Sequence, residues 1–335
     1  EISLIAISRY NNFVKAISQE GSDLLWKENP DPVLKEGEVL IHIKASAINR
    51  ADLLQRSGNY PVPPGASPIL GLECSGEIEE VSENVDNFKK GDQVCALLAG
   101  GGYAEKVSVP SGQVLKLPKG FSFEQAAALP EVFATAYFNL YMEANLLEGE
   151  KALIHAGASG VGTAAIQICK AMGNPCLVTA GTKEKISRCI EIGAEGGTVR
   201  NVENFAEAVA KWTDNNGVQV ILDPVGGNYL EDNMKSLSLE GRLVMIGLMG
   251  GAKASINLGL LMMKRLRIIG STLRAQPIAK KTEIMNNLKE NVWPSLESGD
   301  IKPIIDTVIP IEEVDKAHKL MESNQTFGKV ILKVN

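Results

Sequence analysis

The segment that most restricts the fold is Ala156-Gly157-Ala158-Ser159-Gly160-Val161-Gly162. It stands between an apolar strand pattern, Lys151–Ala156, and an amphipathic helix pattern, Gly160–Gly173. Gly157 is expected to permit a tight turn, and Gly162 to let the helix pack closely on the strand. The unpaired amides of the first helical turn, around Gly160 and Val161, then favour an anion through hydrogen bonding and the helix dipole. The spacing departs from plain G-x-G-x-x-G. Ser159 stands where the middle glycine falls, and its hydroxyl is able to donate to a phosphate oxygen.

The flanking patterns extend this unit into an alternation. Pro175–Ala180 reads as a strand, Lys183–Ile192 as a helix, Gly197–Arg200 as a strand and Glu203–Trp212 as a helix. Gln219–Asp223, Arg242–Gly247 and Leu266–Thr272 read as strands, with Tyr229–Leu237 helical. Such alternation predicts a parallel sheet covered on both faces. Upstream, residues 36–110 carry short strands separated by Gly and Pro turns, including Glu38–Ala47, which suggests a compact barrel-like unit. Phe123–Met142 and Ile278–Glu297 each read as one helix. Ile304–Pro310, Glu312–Met321 and Lys329–Val334 follow as strand, helix and strand. The fold class is α/β: a β-rich domain, an inserted doubly wound domain, and a return to the first.

Composition narrows the function. A chain of 335 residues suits about two domains. Its 44% hydrophobic content and net charge of −6 argue against disorder and against nucleic-acid or membrane-surface binding. No apolar run reaches the ~18 residues that span a bilayer. Five cysteines without a C-x-x-C pair fit a reducing compartment, hence the cytoplasm, and three scattered histidines argue against a His-rich metal site. Ile2–Ile7 lacks the features of a signal peptide and reads as an extra strand or a lead-in. The Lys264-Arg265-Leu266-Arg267 cluster reads as a solvated face.

The second strand of the alternation distinguishes two dinucleotides. An acidic residue at its tip would bind the ribose hydroxyls of NAD. This strand instead ends Val178-Thr179-Ala180-Gly181-Thr182-Lys183-Glu184-Lys185. A 2′-phosphate there meets Thr182 and Lys185, and Arg200 at the next strand's end offers a planar fork of donors. The pattern favours NADPH. Surface solvation is the other reading of the two lysines. His155 reads as a satisfied core histidine and His318 as solvated on a polar helix. Asp223 either lies near the adenosine or caps its turn. Arg274 has a weak claim to face substrate.

The motifs together resemble one family. They are Asn49-Arg50-Ala51-Asp52-Leu53, Gly58-Asn59-Tyr60 with Pro63-Pro64, Gly71-Leu72-Glu73-Cys74-Ser75-Gly76, the Ala156–Gly162 turn, Leu222-Asp223-Pro224-Val225-Gly226-Gly227, Gly247-Leu248-Met249-Gly250-Gly251 and Gly328-Lys329-Val330. Over about residues 14–335 the chain resembles the zinc-independent, zeta-crystallin-like quinone oxidoreductases of the medium-chain dehydrogenase/reductase superfamily. The resemblance implies a GroES-like catalytic domain, 1–129 with 274–335, and a Rossmann NADPH-binding domain, 130–273, with the nicotinamide between them. It also implies a homodimer or homotetramer.

By the same resemblance, Asn49 and Tyr60 lie beside nicotinamide and substrate, and Thr135 approaches the nicotinamide ribose. Ala158, Ser159, Gly160 and Val161 hold the pyrophosphate. Gly181, Thr182 and Lys185 hold the 2′-phosphate. Gly247, Leu248 and Met249 line the nicotinamide side, as do Ser271, Thr272 and Leu273. Arg200 stands where the family often has Tyr. The catalytic Cys of zinc-using relatives falls at or beside Asn49, and their His at Leu72, so no metal is expected. Read by chemistry alone, Tyr60 either bonds the acceptor oxygen or packs under the Pro-rich loop, and Asn49 either orients the nicotinamide side or is a turn amide. The implied activity is NADPH-dependent reduction of a small quinone. The rival readings are an enone or 2-alkenal double-bond reductase and a non-catalytic NADPH-binding redox sensor.

Overall fold

A computed structural model describes residues 13–335; Ile2–Ile7 lies outside them. The chain forms two compact units. The first takes the chain up to Glu131 together with Arg274–Lys289 and Ile305–Asn335. The second takes Val132–Leu273 and Glu290–Ile304. The stretch 290–304 thus clusters with the second unit, although the sequence patterns group it with the returning chain.

The first unit starts with a hairpin, β1 (Phe13–Glu20) and β2 (Asp23–Pro30), which turns through Gly21 at φ +61°. It continues through β3 (Glu38–Ala47), α1 (Arg50–Arg56), β4 (Glu73–Val81), β5 (Gln93–Leu97), β6 (Lys106–Pro110), β7 (Val114–Lys116) and α2 (Phe123–Ala127). α3 (Pro130–Tyr137) carries the chain into the second unit. There, β8 (Ala152–Ile154), α4 (Gly160–Ala171), β9 (Cys176–Ala180), α5 (Lys183–Glu191), β10 (Gly196–Val199) and α6 (Phe205–Trp212) alternate. β11 (Val218–Asp223), α7 (Leu230–Ser236), β12 (Leu237–Met245), α8 (Leu258–Met263) and β13 (Arg267–Gly270) follow. The returning chain supplies α9 (Ile278–Asn291), α10 (Trp293–Ser298), β14 (Ile305–Pro310), α11 (Val314–Glu322) and β15 (Lys329–Lys333).

The second unit's sheet runs β10-β9-β8-β11-β12-β13, with every neighbouring pair parallel. This is the doubly wound dinucleotide-binding order, and its reversal point lies between β8 and β11. Val218, Ile221, Leu237 and Leu243 lie in its core with Phe205 and Val209 of α6. In the first unit the sheet order is β14-β15-β3-β4-β5-β7, with β6 also on β3. β15 is parallel to β14 but antiparallel to β3, so the last strand of the chain sits between partners from opposite ends of the sequence. Ile41, Ile43, Ile78, Val94 and Leu332 are among the side chains that close its core.

Several expectations change. Phe123–Met142 is not one helix: α2 ends before Pro130, which lacks an N–H to continue it and opens α3. Ile278–Glu297 breaks at Val292, where Pro294 enters the first turn of α10. Between β12 and β13 the chain is helical, where Asn257 Oδ1 accepts from the Leu260 amide and starts α8. His318 is buried, not solvated. It meets the Tyr103 ring edge-on at 6.0 Å, and burial lowers its pKa to about 4. Lys264 is not a solvated charge either; its Nζ caps α7 by donating to the Leu237 and Lys235 carbonyls at 2.6 and 2.8 Å.

Candidate active site

The turn after β8 is built as an anion cradle. Its left-handed residue is Ala156, at φ +53°, rather than Gly157. Gly157 is required by close approach instead, since a Cβ there would lie 2.8 Å from Val178 Cβ. At Gly162 a Cβ would lie 2.4 Å from the Ala156 carbonyl oxygen and 2.6 Å from Gly157 Cα, so the helix start presses against the turn's own backbone. Ser159 is the N-cap of α4, with Oγ accepting from the Gly162 amide at 3.0 Å. That leaves its hydroxyl hydrogen for an outside acceptor. The amides of Gly160 and Val161 belong to the first turn, where no helix carbonyl precedes them. Ala158 is buried, and Gly160 and Val161 are half-buried.

At the next strand tips, Thr182 caps α5 by accepting from the Lys185 amide at 3.2 Å. Val199 pairs with Ala180, and this register brings Arg200 over Gly181. A Cβ built on Gly181 would lie 3.7 Å from Arg200 Nε. A cavity of about 330 Å³ has Thr179, Thr198, Arg200 and Tyr229 in its lining, together with the acids Glu203 and Asp232. Thr198 Oγ1 is enclosed without a hydrogen-bond partner. Asp223 caps its own turn, accepting from the Val225 and Gly226 amides at 2.6 and 3.1 Å and from Asn233. His155 is a satisfied core histidine, held between Thr179 Oγ1 and Asn233 Oδ1.

The loop Gly247-Leu248-Met249 is tied to the turn after β11, with the Met249 amide donating to the Pro224 carbonyl at 3.2 Å. Leu248 and Met249 are exposed. Beyond β13, Ser271 donates its amide to Met245, but its hydroxyl is enclosed and unpartnered. Leu273 is buried beside the exposed Thr272, and Thr135 is buried on α3. Two enclosed hydroxyls without partners, a turn that excludes side chains and an arginine over a glycine at a strand tip fit a phosphorylated dinucleotide.

In the first unit, Asn49 is engaged at both ends of its carboxamide. Nδ2 donates to Glu73 Oε1 at 2.8 Å, and Oδ1 accepts from Lys329 Nζ at 2.7 Å. Lys329 Nζ is also 2.7 Å from Glu73 Oε1, a fully buried ion pair. Glu73 Oε2 accepts from the Glu131 amide at 2.8 Å. Asp52 accepts from the Asn49 and Gly71 amides and from Tyr103. Burial still raises its pKa to about 6. Tyr60 is half-buried, with the Arg274 guanidinium 5.2 Å from its ring centroid, and burial raises its phenol pKa.

Sequence reasoning missed Lys329, Glu131 and Lys281 and undervalued Arg274. The available signal was a charge within an apolar run: Glu131 in Ala126–Tyr137, and Lys329 in the final strand.

Residues 35–119 match the alcohol dehydrogenase GroES-like domain family, and residues 160–290 match the zinc-binding dehydrogenase family. The chain is 32% identical to the Homo sapiens quinone oxidoreductase over 303 residues, covering 90% of each chain. It is 31% identical to the Danio rerio synaptic vesicle membrane protein VAT-1 homolog, covering 90% of this chain and 65% of that one. The structure of Escherichia coli quinone oxidoreductase complexed with NADPH superposes with a TM-score of 0.83 at 30% identity, covering 96% of this chain and 99% of that one. The zinc in the second family's name finds no ligand set among the described residues of the first unit. Leu72 is buried core, Asn49 Oδ1 and Glu73 Oε1 are held by the Lys329 ammonium, and Glu73 Oε2 by the Glu131 amide. Among the described residues no three His, Cys, Asp or Glu side chains group as metal ligands. A GroES-like domain, a Rossmann sheet and quinone oxidoreductase relatives matched over at least 90% of both chains together make the chain an oxidoreductase, and it belongs to the quinone oxidoreductase family of the medium-chain dehydrogenase/reductase superfamily.

Proposed function

We propose that this protein reduces quinones with NADPH. The observation that carries the reading is Arg200 over Gly181, at the end of β9, whose own tip has no carboxylate. A 2′-phosphate gains charge-assisted hydrogen bonds there, whereas the bare ribose of NADH gains little. The Escherichia coli relative, solved with NADPH, supports the same cofactor. When bound, NADPH supplies the hydride. Ala158, Ser159, Gly160 and Val161 hold the pyrophosphate through amides and one hydroxyl. Gly181, Thr182, Lys185 and Arg200 hold the 2′-phosphate. Thr135, Gly247, Leu248, Met249, Ser271, Thr272 and Leu273 hold the nicotinamide end and exclude water. Tyr60 presents its ring to a flat acceptor. Asn49 acts as a positioning residue, since its carboxamide is already bound.

NADPH oxidation against a panel of quinones and enones, with NADH as control, tests the reading. Faster turnover of small alkenals than of quinones would replace it with double-bond reduction. Arg200→Ala is expected to lower the NADPH-over-NADH preference by about 10- to 100-fold, the loss of roughly 1.5–3 kcal/mol from hydrogen bonds to a charged group. An unchanged preference counts against Arg200.

We also place the protein in the cytoplasm as a homo-oligomer. Its five cysteines are all free and buried, and no described helix is long and apolar enough to cross a membrane. Self-association is supported by the terminal strand β13 and by Leu258, Met262 and Met263 exposed on α8. Sedimentation is expected to give a dimer or larger, which Met262→Glu with Met263→Glu shifts toward monomer. A monomeric wild type rejects this.

A further inference from the structure

A buried guanidinium is normally saturated, because each unpaired donor forfeits its bonds to water. Arg274 departs from this rule. It is 3% exposed, its Nε donates to the Ala99 carbonyl at 2.8 Å, and both terminal nitrogens are enclosed without a partner. Glu131 repeats the anomaly with opposite character: its backbone amide is bound to Glu73, but its own Oε2 is enclosed without a partner. The Glu131 charge acts on Arg274, both act on Tyr60, and the guanidinium lies 5.2 Å from that ring's centroid. Paired donors and an acid beside an aromatic ring make a receptor for an oxygen that gains negative charge and then a proton.

We infer that Arg274 and Glu131 are the oxygen-binding pair for the acceptor: the guanidinium nitrogens hold a carbonyl oxygen, and the Glu131 carboxyl protonates it. The inference deepens the function proposed above and rests on it. When the acceptor takes up a hydride, the carbonyl π pair moves onto its oxygen. The Glu131 O–H bond breaks and the new O–H bond forms on the acceptor. The acceptor is reduced and the dinucleotide oxidised, and Glu131 regains its proton from water. A quinone that takes the hydride on a ring carbon next loses one proton from that carbon to water and gains one from water on its second oxygen, and so leaves as a hydroquinone.

Glu131 is suited to give a proton at neutral pH. Burial first, then the charge of Glu73, raises its pKa to about 8; Asp52 adds to this, while Lys329 and Lys281 oppose it. Arg274 and Tyr60 complete the charged and titratable groups around it. The carboxyl is therefore loaded below about pH 8 and spent above it.

Two measurements test the pair in the full-length protein. Wild-type kcat with a quinone is expected to fall as pH rises through about 8. Glu131→Gln is expected to lower kcat by about 100-fold and remove that fall. The phenolate probe 4-nitrophenolate, followed by its visible band, is expected to bind the wild type and to bind Arg274→Gln at least about tenfold more weakly, with unchanged thermal unfolding. If that variant does not fold, Arg274→Lys, which keeps the charge and loses the fork, is expected to show the same weakening. A Glu131→Gln enzyme with wild-type kcat and pH profile overturns the inference, as does equal nitrophenolate binding by a folded Arg274 variant. If the wild type turns over neither quinone nor enone, the function above fails, and the nitrophenolate titration still decides for or against the oxygen site.

Discussion

Lys329→Met is expected to cost the first unit about 3–5 kcal/mol, the usual result of removing one member of a buried ion pair. Lys329 Nζ binds Glu73 Oε1, Asn49 Oδ1 and the Ile48 carbonyl, at 2.7, 2.7 and 2.9 Å. Without the ammonium, the Glu73 carboxylate stays buried near Asp52 and Glu131, two acids whose ionisation burial already opposes. The loss should come mainly from that stranded charge. Adding Glu73→Gln should therefore restore much of the stability, because the amide still accepts from the Glu131 backbone and carries no charge. Urea unfolding of the two variants measures both effects. A double variant no more stable than Lys329→Met would place the loss in packing rather than in charge.

Gly162→Ala has the largest expected effect on nucleotide binding. A methyl group there would stand 2.4 Å from the Ala156 carbonyl oxygen, and neither contacting group is a side chain able to swing aside. The helix start must move away from the turn. Overpacking of this kind costs about 1–3 kcal/mol in stability. The greater loss is in aim, since the amides of Gly160 and Val161 and the Ser159 hydroxyl converge only while the turn is closed. Losing two charge-assisted hydrogen bonds at roughly 1.5–3 kcal/mol each lowers NADPH affinity by more than about 100-fold. Calorimetric titration measures this directly, and an unchanged Kd would remove the turn from nucleotide recognition.

The second unit was legible in the sequence because each of its signals is local. Strand and helix periods alternate, Thr182 and Ser159 announce helix starts, and the glycines of the turn sit within a few residues of one another. Arg200 was legible by the same logic, since parallel strands end side by side. The first unit was less so. Its hairpin β1–β2 is an ordinary two-residue turn at Gly21-Ser22, passed over because its strands are weakly alternating and partly exposed. The charged cluster was harder to see for a stronger reason. Glu73, Glu131, Arg274, Lys281 and Lys329 come from distant parts of the chain, and a charge within an apolar run marks Glu131 and Lys329 as buried without saying what they meet. His318 was misread similarly: its helix is polar, but the residue faces Tyr103 of a segment more than two hundred positions earlier.

The position of β15 between β14 and β3 affects how the protein is made. Domains commonly fold in the order in which they are synthesised. Here, β3 leaves the ribosome well before β15, a partner encoded far downstream, and must wait for it. The carboxylate of Glu73 waits for Lys329 on that same strand. The parallel sheet encoded between β3 and β15 meets no such delay for its strands, so during translation the later-encoded unit has the head start.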